Sequence, residues 1–139
     1  MRKFLLATHC DMAQCMKRTT EYLLGQQENL DVINAYMEDD FDLTLLIADK
    51  LSKLGNSDEL IVMTDMFGGS INNEFMLTLT DPRIYLLTGI NLPLIIELVT
   101  AEEDSPALEV IDQAIQIAQG AVRFCNTIRK EGNIQEEDF

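Results

Sequence analysis

The sequence predicts an α/β domain with a doubly wound, mainly parallel sheet in strand order 2-1-3-4 and helices on both faces. Apolar runs of strand length alternate with segments of helical period, the pattern of parallel strands covered on both sides. With 139 residues, 47% hydrophobic and 6% aromatic, the chain is aliphatic and long enough to bury one core. Two apolar runs end in a polar residue, His9 and Asp65, at the strand ends where such sheets collect ligands.

Lys3-Phe4-Leu5-Leu6-Ala7-Thr8 reads as the first strand, and His9 begins the loop after it. Met12, Cys15, Met16, Thr19, Leu23 and Leu24 then recur at helical spacing until Gly25, with Asp11 as the N-cap. Leu30 to Tyr36 alternates only in part and makes a weaker second strand at or near an edge. Asp39-Asp40-Phe41-Asp42 places acid in a first helical turn, and Leu43, Leu46, Ile47, Leu51 and Leu54 continue that helix to Gly55. Leu60 to Thr64 is the third strand. A glycine turn and a helix through Asn73, Phe75, Met76 and Leu79 follow it, closed by Asp81-Pro82.

Arg83 to Thr88 supplies the fourth strand, and Asn91 caps a helix whose first turn tolerates Pro93 and which buries Leu94, Ile95 and Leu98. A polar break, Glu102 to Pro106, precedes a last helix from about Ala107 to Ala118, ended by Gly120. Ala121 to Cys125 reads as one more short strand although every crossover helix is spent. Such a strand runs antiparallel on a sheet edge or crosses to a partner subunit. The division is therefore a domain over residues 1–125 and an acidic tail over 126–139, frayed from Glu131 onward.

The formal net charge of −14 argues against a nucleic-acid partner, because phosphate backbones would be repelled, and suits a basic protein partner instead. Cys10, Cys15 and Cys125 form an odd set without a CxxC pair, which fits a reducing compartment. The first apolar run is too short for a signal peptide, and the longest, Tyr85 to Val99, is broken by Gly89, Asn91 and Pro93 and falls short of a bilayer span. The expectation is a cytoplasmic, soluble protein.

If the first and third strands are neighbours, His9 meets Asp65 at the point where strand order reverses. Right-handed crossovers restrict the topology without choosing this order. A carboxylate that accepts the Nδ1 proton fixes the tautomer and leaves Nε2 with a lone pair as nucleophile. Gly68-Gly69-Ser70 opening a helix offers backbone N–H groups and a dipole end to a phosphoryl group. Each piece has a plainer reading: a hydrogen-bonded structural histidine, an ordinary turn, an aspartate cap. His9, Cys10 and Cys15 as metal ligands lack a fourth member and match no zinc spacing.

Leu5-Leu6-Ala7-Thr8-His9, Met63-Thr64-Asp65-Met66-Phe67-Gly68-Gly69-Ser70 and Thr88-Gly89-Ile90-Asn91-Leu92-Pro93-Leu94, in that order, resemble one known family. These are the enzyme IIA domains of mannose-type permeases in the bacterial phosphoenolpyruvate-dependent sugar phosphotransferase system. The resemblance runs from residue 1 to about residue 125. It implies that His9 takes a phosphoryl group from the histidine-containing phosphocarrier protein and gives it to a IIB domain, with Asp65 orienting the ring. It implies a homodimer that exchanges a C-terminal strand, and no metal or nucleotide cofactor.

In that role Thr64, Phe67, Gly68, Gly69 and Ser70 line the phosphoryl site, with Thr8 and Asn91 as further candidates. The membrane enters only indirectly, through the permease. Two departures stand out: Cys10 where the family usually has glycine, and Ile71-Asn72 where it usually has proline after Gly-Gly-Ser. The same domain type also serves in transcriptional activators and as phosphoryl donor to dihydroxyacetone kinase. The lack of an attached DNA-binding or carrier segment favours transport. A flavin- or nucleotide-binding domain without histidine chemistry is the more distant alternative.

Overall fold

The structure, a computed structural model, describes residues 1–130. Four strands, β1 (Arg2–His9), β2 (Leu30–Ala35), β3 (Glu59–Thr64) and β4 (Ile84–Thr88), form an all-parallel sheet in the order β2-β1-β3-β4. Six helices join or follow them: α1 (Met12–Leu24), α2 (Leu43–Ser52), α3 (Ser70–Met76), α4 (Leu92–Thr100), α5 (Ala107–Gly120) and α6 (Cys125–Lys130).

The two-residue period of the strands divides the core. Phe4, Leu6, Ile61, Met63 and Leu87 face one side, where Ala13 of α1, Leu94, Ile95 and Leu98 of α4, and Val110, Ile111 and Ala114 of α5 cover them. Leu5, Ala7, Ile33, Val62 and Ile84 face the other, against Ile47 of α2 and Ile71 and Phe75 of α3. Because β1 and β3 are central and covered on both faces, their sequences are continuous apolar runs. The expected fold class and strand order are those observed. β2 lies at an edge, as its weaker pattern suggested.

Several boundaries differ for identifiable reasons. Asp11 precedes α1 but makes no side-chain cap bond. The hydroxyl of Thr8 accepts from the Ala13 N–H at 2.7 Å, and Asn34 Oδ1 accepts from Gln14 N–H at 3.1 Å. Caps from neighbouring strands thus replace the local one. Asp42 alone of its acidic run caps α2, accepting from Leu45 N–H at 2.9 Å. Asn91 caps α4 as expected, with Pro93 in the first turn. α3 stops at Met76, where bonds from Leu77 to Glu74 and from Thr78 to Phe75 tighten the chain into turns, so Leu79 lies outside the helix.

The strand expected at Ala121–Cys125 does not form in the single chain. Residues 122–124 have no regular structure, and Cys125 opens α6. The chain instead turns into α6, with bonds from Thr127 and Ile128 to Phe124 O. Val122 and Phe124 are left 84% and 69% exposed. Of the acidic tail read over 126–139, residues 126–130 belong to α6 and 131–139 lie outside the described residues.

Candidate active site

β1 pairs with β2 in register as far as His9↔Ala35, whereas its pairing with β3 stops at Ala7↔Thr64. His9 therefore stands beyond the last β1–β3 pair, beside the crevice that opens as β3 turns away. Asp65, the first residue after β3, fills that place: its Oδ2 accepts from the His9 backbone N–H at 2.9 Å and lies 2.7 Å from His9 Nδ1. Its Oδ1 accepts from Met66 N–H at 3.0 Å.

Burial works to raise the Asp65 carboxyl, but the hydrogen bonds from the His9 backbone and ring, the ring's charge and the Met66 N–H outweigh it, holding the group below its ordinary value. An ionised carboxylate accepts only, so Nδ1 carries the proton, and in the neutral ring Nε2 keeps its lone pair. Nε2 has no hydrogen-bond partner among the described residues, and the side chain is 39% exposed. The geometry presents a nucleophilic nitrogen to solvent.

The glycine turn flanks this ring. Gly68 has φ of +74°, a left-handed turn position that suits glycine. A Cβ on Gly69 would stand 3.0 Å from Met66 Cγ, 3.3 Å from Met66 O and 3.6 Å from His9 Cε1, so glycine lets this backbone approach the imidazole. The first helical bond of α3 runs from Asn73 N–H to Gly69 O, which leaves the N–H groups of Ser70, Ile71 and Asn72 without intrahelical acceptors.

The remaining sequence candidates are placed unevenly. Ser70 Oγ lies 2.7 Å from the Tyr36 hydroxyl, and Gly68 O accepts from Asn73 Nδ2 at 3.1 Å. Thr64 is fully buried, its Oγ1 within 3.1 Å of Asn72 Oδ1 and 3.3 Å of Leu87 O, so its side chain braces the turn from beneath. Thr8 is likewise buried and caps α1. Asn91 holds α4 and donates to Ala118 O at 2.9 Å, tying α4 to the end of α5. Phe67 is 83% exposed. The sequence reading omitted Tyr36, whose ring centroid lies 5.6 Å from that of His9. The signal that selected His9 and Asp65, a polar residue just past a strand end, would have found it at the end of β2.

Both departures have structural settings. Cys10 has φ of +51°, a left-handed conformation that glycine adopts more readily. Ile71 enters the core at a helix position whose N–H needs no intrahelical acceptor, the condition that makes proline acceptable there. Among the described residues no three or more His, Cys, Asp or Glu side chains gather as a metal site. An open cleft of about 870 Å³, lined by Arg2, Lys17, Lys50 and Lys53 among others, lies at the amino ends of the strands, away from His9.

The family model described as the PTS system fructose IIA component (EIIA-man) matches residues 3–115. The chain belongs to the mannose-type EIIA family of the phosphotransferase system. It is 26% identical over 122 residues to the mannose-specific EIIAB component of Escherichia coli (strain K12), covering 86% of this chain and 38% of that protein. It thus spans about two fifths of the length of that EIIAB relative. A solved structure from Klebsiella pneumoniae subsp. pneumoniae MGH 78578, assigned to a phosphoenolpyruvate-dependent sugar phosphotransferase permease, superposes with a TM-score of 0.86 at 36% identity, covering 90% of this chain and 91% of that one. The mannose/sorbose-specific IIA subunit from Enterococcus faecalis gives a TM-score of 0.78 at 26% identity, with coverage of 88% and 93%. Within this EIIA chain, no helix of the described residues is long and apolar enough to cross a membrane.

Proposed function

We propose that this EIIA chain is a cytoplasmic phosphoryl carrier that takes a phosphoryl group onto Nε2 of His9 from the histidine-containing phosphocarrier protein and passes it to a IIB domain for sugar uptake. The observation that carries the reading is the 2.7 Å contact between His9 Nδ1 and Asp65 Oδ2, which leaves Nε2 unpartnered. In the forward step Nε2 attacks the phosphorus of the donor's phosphohistidine. A P–N bond forms on His9 as the donor's P–N bond breaks, and the donor imidazole leaves. The Nδ1 proton stays in place, and Asp65 stabilises the positive charge that the ring gains.

Positioning and charge stabilisation are nearly all such a transfer asks of the protein. Gly68, Gly69 and Ser70 supply the close backbone approach and donors, with Thr64 bracing the turn and Phe67 standing outside it. Because the donor is itself a phosphohistidine, the scheme calls for no metal or nucleotide. Tyr36, Met37, Met66 and Phe67, exposed apolar side chains in the loops after β2 and β3, form a rim on which partner proteins dock. Residues 1–125 make up the carrier domain, with 126–139 appended. The exposure of Val122 and Phe124 supports a homodimer in which Ala121 to Cys125 adds as a strand to the partner's sheet.

Incubation with phosphoenolpyruvate, the general enzyme and the carrier protein is expected to add one acid-labile phosphate, and His9→Ala to abolish it. Label that persists in that variant overturns the assignment. Transfer onward to a sugar-specific IIB, set against transfer to a dihydroxyacetone kinase subunit, separates transport from regulation.

A further inference from the structure

We infer that Tyr36 is a positioning residue of the phosphoryl site, its ring walling one face of the His9 imidazole and its hydroxyl holding that of Ser70 ready for a phosphoryl oxygen. The inference rests on the phosphocarrier reading of His9. β1 and β2 stay in register to His9↔Ala35, and Cys10 N–H donates to Ala35 O at 2.9 Å, so Cys10 and Tyr36 leave the sheet side by side. Both do so with left-handed backbone, at φ of +51° and +63°. A bulky aromatic residue persists in that conformation only where its surroundings hold it there.

Three contacts hold Tyr36. Phe41 meets its ring edge-on at a centroid distance of 5.3 Å, His9 lies 5.6 Å away at an interplanar angle of 35°, and the hydroxyl sits 2.7 Å from Ser70 Oγ. The side chain therefore spans from the end of β2 to the start of α3, past the ring of His9. It reaches this position although the residue is 48% exposed, so burial alone does not account for it.

Proton accounting gives the bond a direction. A phenol hydroxyl is a stronger hydrogen-bond donor than an aliphatic one, so the assignment is Tyr36 donating and Ser70 Oγ accepting. Ser70 then keeps its own proton, polarised by the incoming bond, to donate to a phosphoryl oxygen. A Cβ added at Gly69 would lie 3.6 Å from His9 Cε1, so the turn that leads into Ser70 passes close to the ring carbon between the two nitrogens. Neutral donors matter here because no Lys or Arg is hydrogen-bonded to His9, Asp65, Ser70 or Tyr36 among the described residues, in a chain of net charge −14.

The test is a double-mutant cycle on phosphoryl transfer from the phosphorylated carrier protein, with Y36F, S70A and the double variant, alongside the hydrolysis rate of the phosphorylated chain. Y36F keeps the ring and removes only the hydroxyl. Expected is a fall of about tenfold in kcat with KM for the carrier unchanged. A similar fall is expected for S70A, with little further loss in the double variant because the two hydroxyls act as one unit. Y36F transferring at the wild-type rate, or losses that multiply in the double variant, overturns the inference while leaving the carrier reading intact. Failure to label the wild-type chain, or label retained in His9→Ala, overturns the carrier reading itself, and the inference with it.

Discussion

Replacing Asp65 by asparagine keeps the side-chain shape and removes what the site depends on. The carboxylate accepts three hydrogen bonds, two at Oδ2 from the His9 backbone and ring and one at Oδ1 from Met66 N–H. An asparagine offers one oxygen and one NH2. With its oxygen in the Oδ2 place, the NH2 confronts the Met66 N–H; flipped, it confronts the His9 N–H and donates to Nδ1. The first orientation leaves one donor unpaired, costing about 1 kcal/mol, at the low end of the range because the carboxylate keeps some solvent contact. The second also moves the imidazole proton to Nε2 and takes away the nucleophile. Both orientations also lose the negative charge that stabilises the ring as it gains positive charge, so transfer is expected to fall on the order of 10³- to 10⁴-fold, the scale known for an aspartate-to-asparagine change beside a catalytic histidine. Urea unfolding reports the small stability loss, and quenched-flow labelling from the phosphorylated carrier reports the large kinetic one. An Asp65→Asn chain that transfers within tenfold of wild type would refute the reasoning, since the ring would then be oriented by something else.

Two further predictions concern stability. The Lys3 side chain, the Gly55 N–H and the amino terminus hold Asp58 down to about 2, and the Arg83 guanidinium and N–H do the same for Asp81, also to about 2. Asp65 is lowered as well, as is Asp31, where burial is opposed by Lys50 and the Val32 N–H. Their folded values lie below the unfolded one, so the stability they lend is complete above about pH 4 and drains away as pH falls toward about 2; urea midpoints should drop across that window, and the drop should shrink in Asp81→Asn. Cys10→Gly relieves the left-handed strain at φ of +51° against glycine's greater unfolded-state freedom, for a net gain of up to about 1 kcal/mol in urea unfolding with labelling of His9 retained; a destabilised variant would mean that the thiol makes contacts which outweigh the strain.

How much of this was legible in the sequence depended on where each residue's partners sit. The strands were readable because burial on both faces forces unbroken apolar runs such as Leu60 to Met63. His9 and Asp65 were readable because topology brings the carboxyl ends of two central strands together whatever the side chains do. Thr8 and Thr64 were selected for the same positional reason, and both are fully buried, their hydroxyls bound to Ala13, Asn72 and Leu87. Asp11 failed as a cap because β1 and β2 had already delivered Thr8 and Asn34 to the same helix end. Tyr36 stood in a legible place at the end of β2, but its pairing with Ser70, a hydroxyl contact across 34 residues, was not legible.

The position of the site follows from a mismatch in strand length. Had β3 continued beside β1 past Ala7↔Thr64, its backbone would have run alongside His9 and closed the crevice. Because β3 turns away at that point, the His9 N–H is left for the side chain of Asp65. The oxygen that satisfies the main chain is the one that holds the ring, so the bond that ends the sheet also sets the tautomer. A substitution that lengthened the β1–β3 ladder by even one pair would compete for the His9 N–H and release the carboxylate from the imidazole. The fold therefore stops pairing where the candidate site lies, and the glycine entry to the short α3 flanks the ring that we propose receives the phosphoryl group.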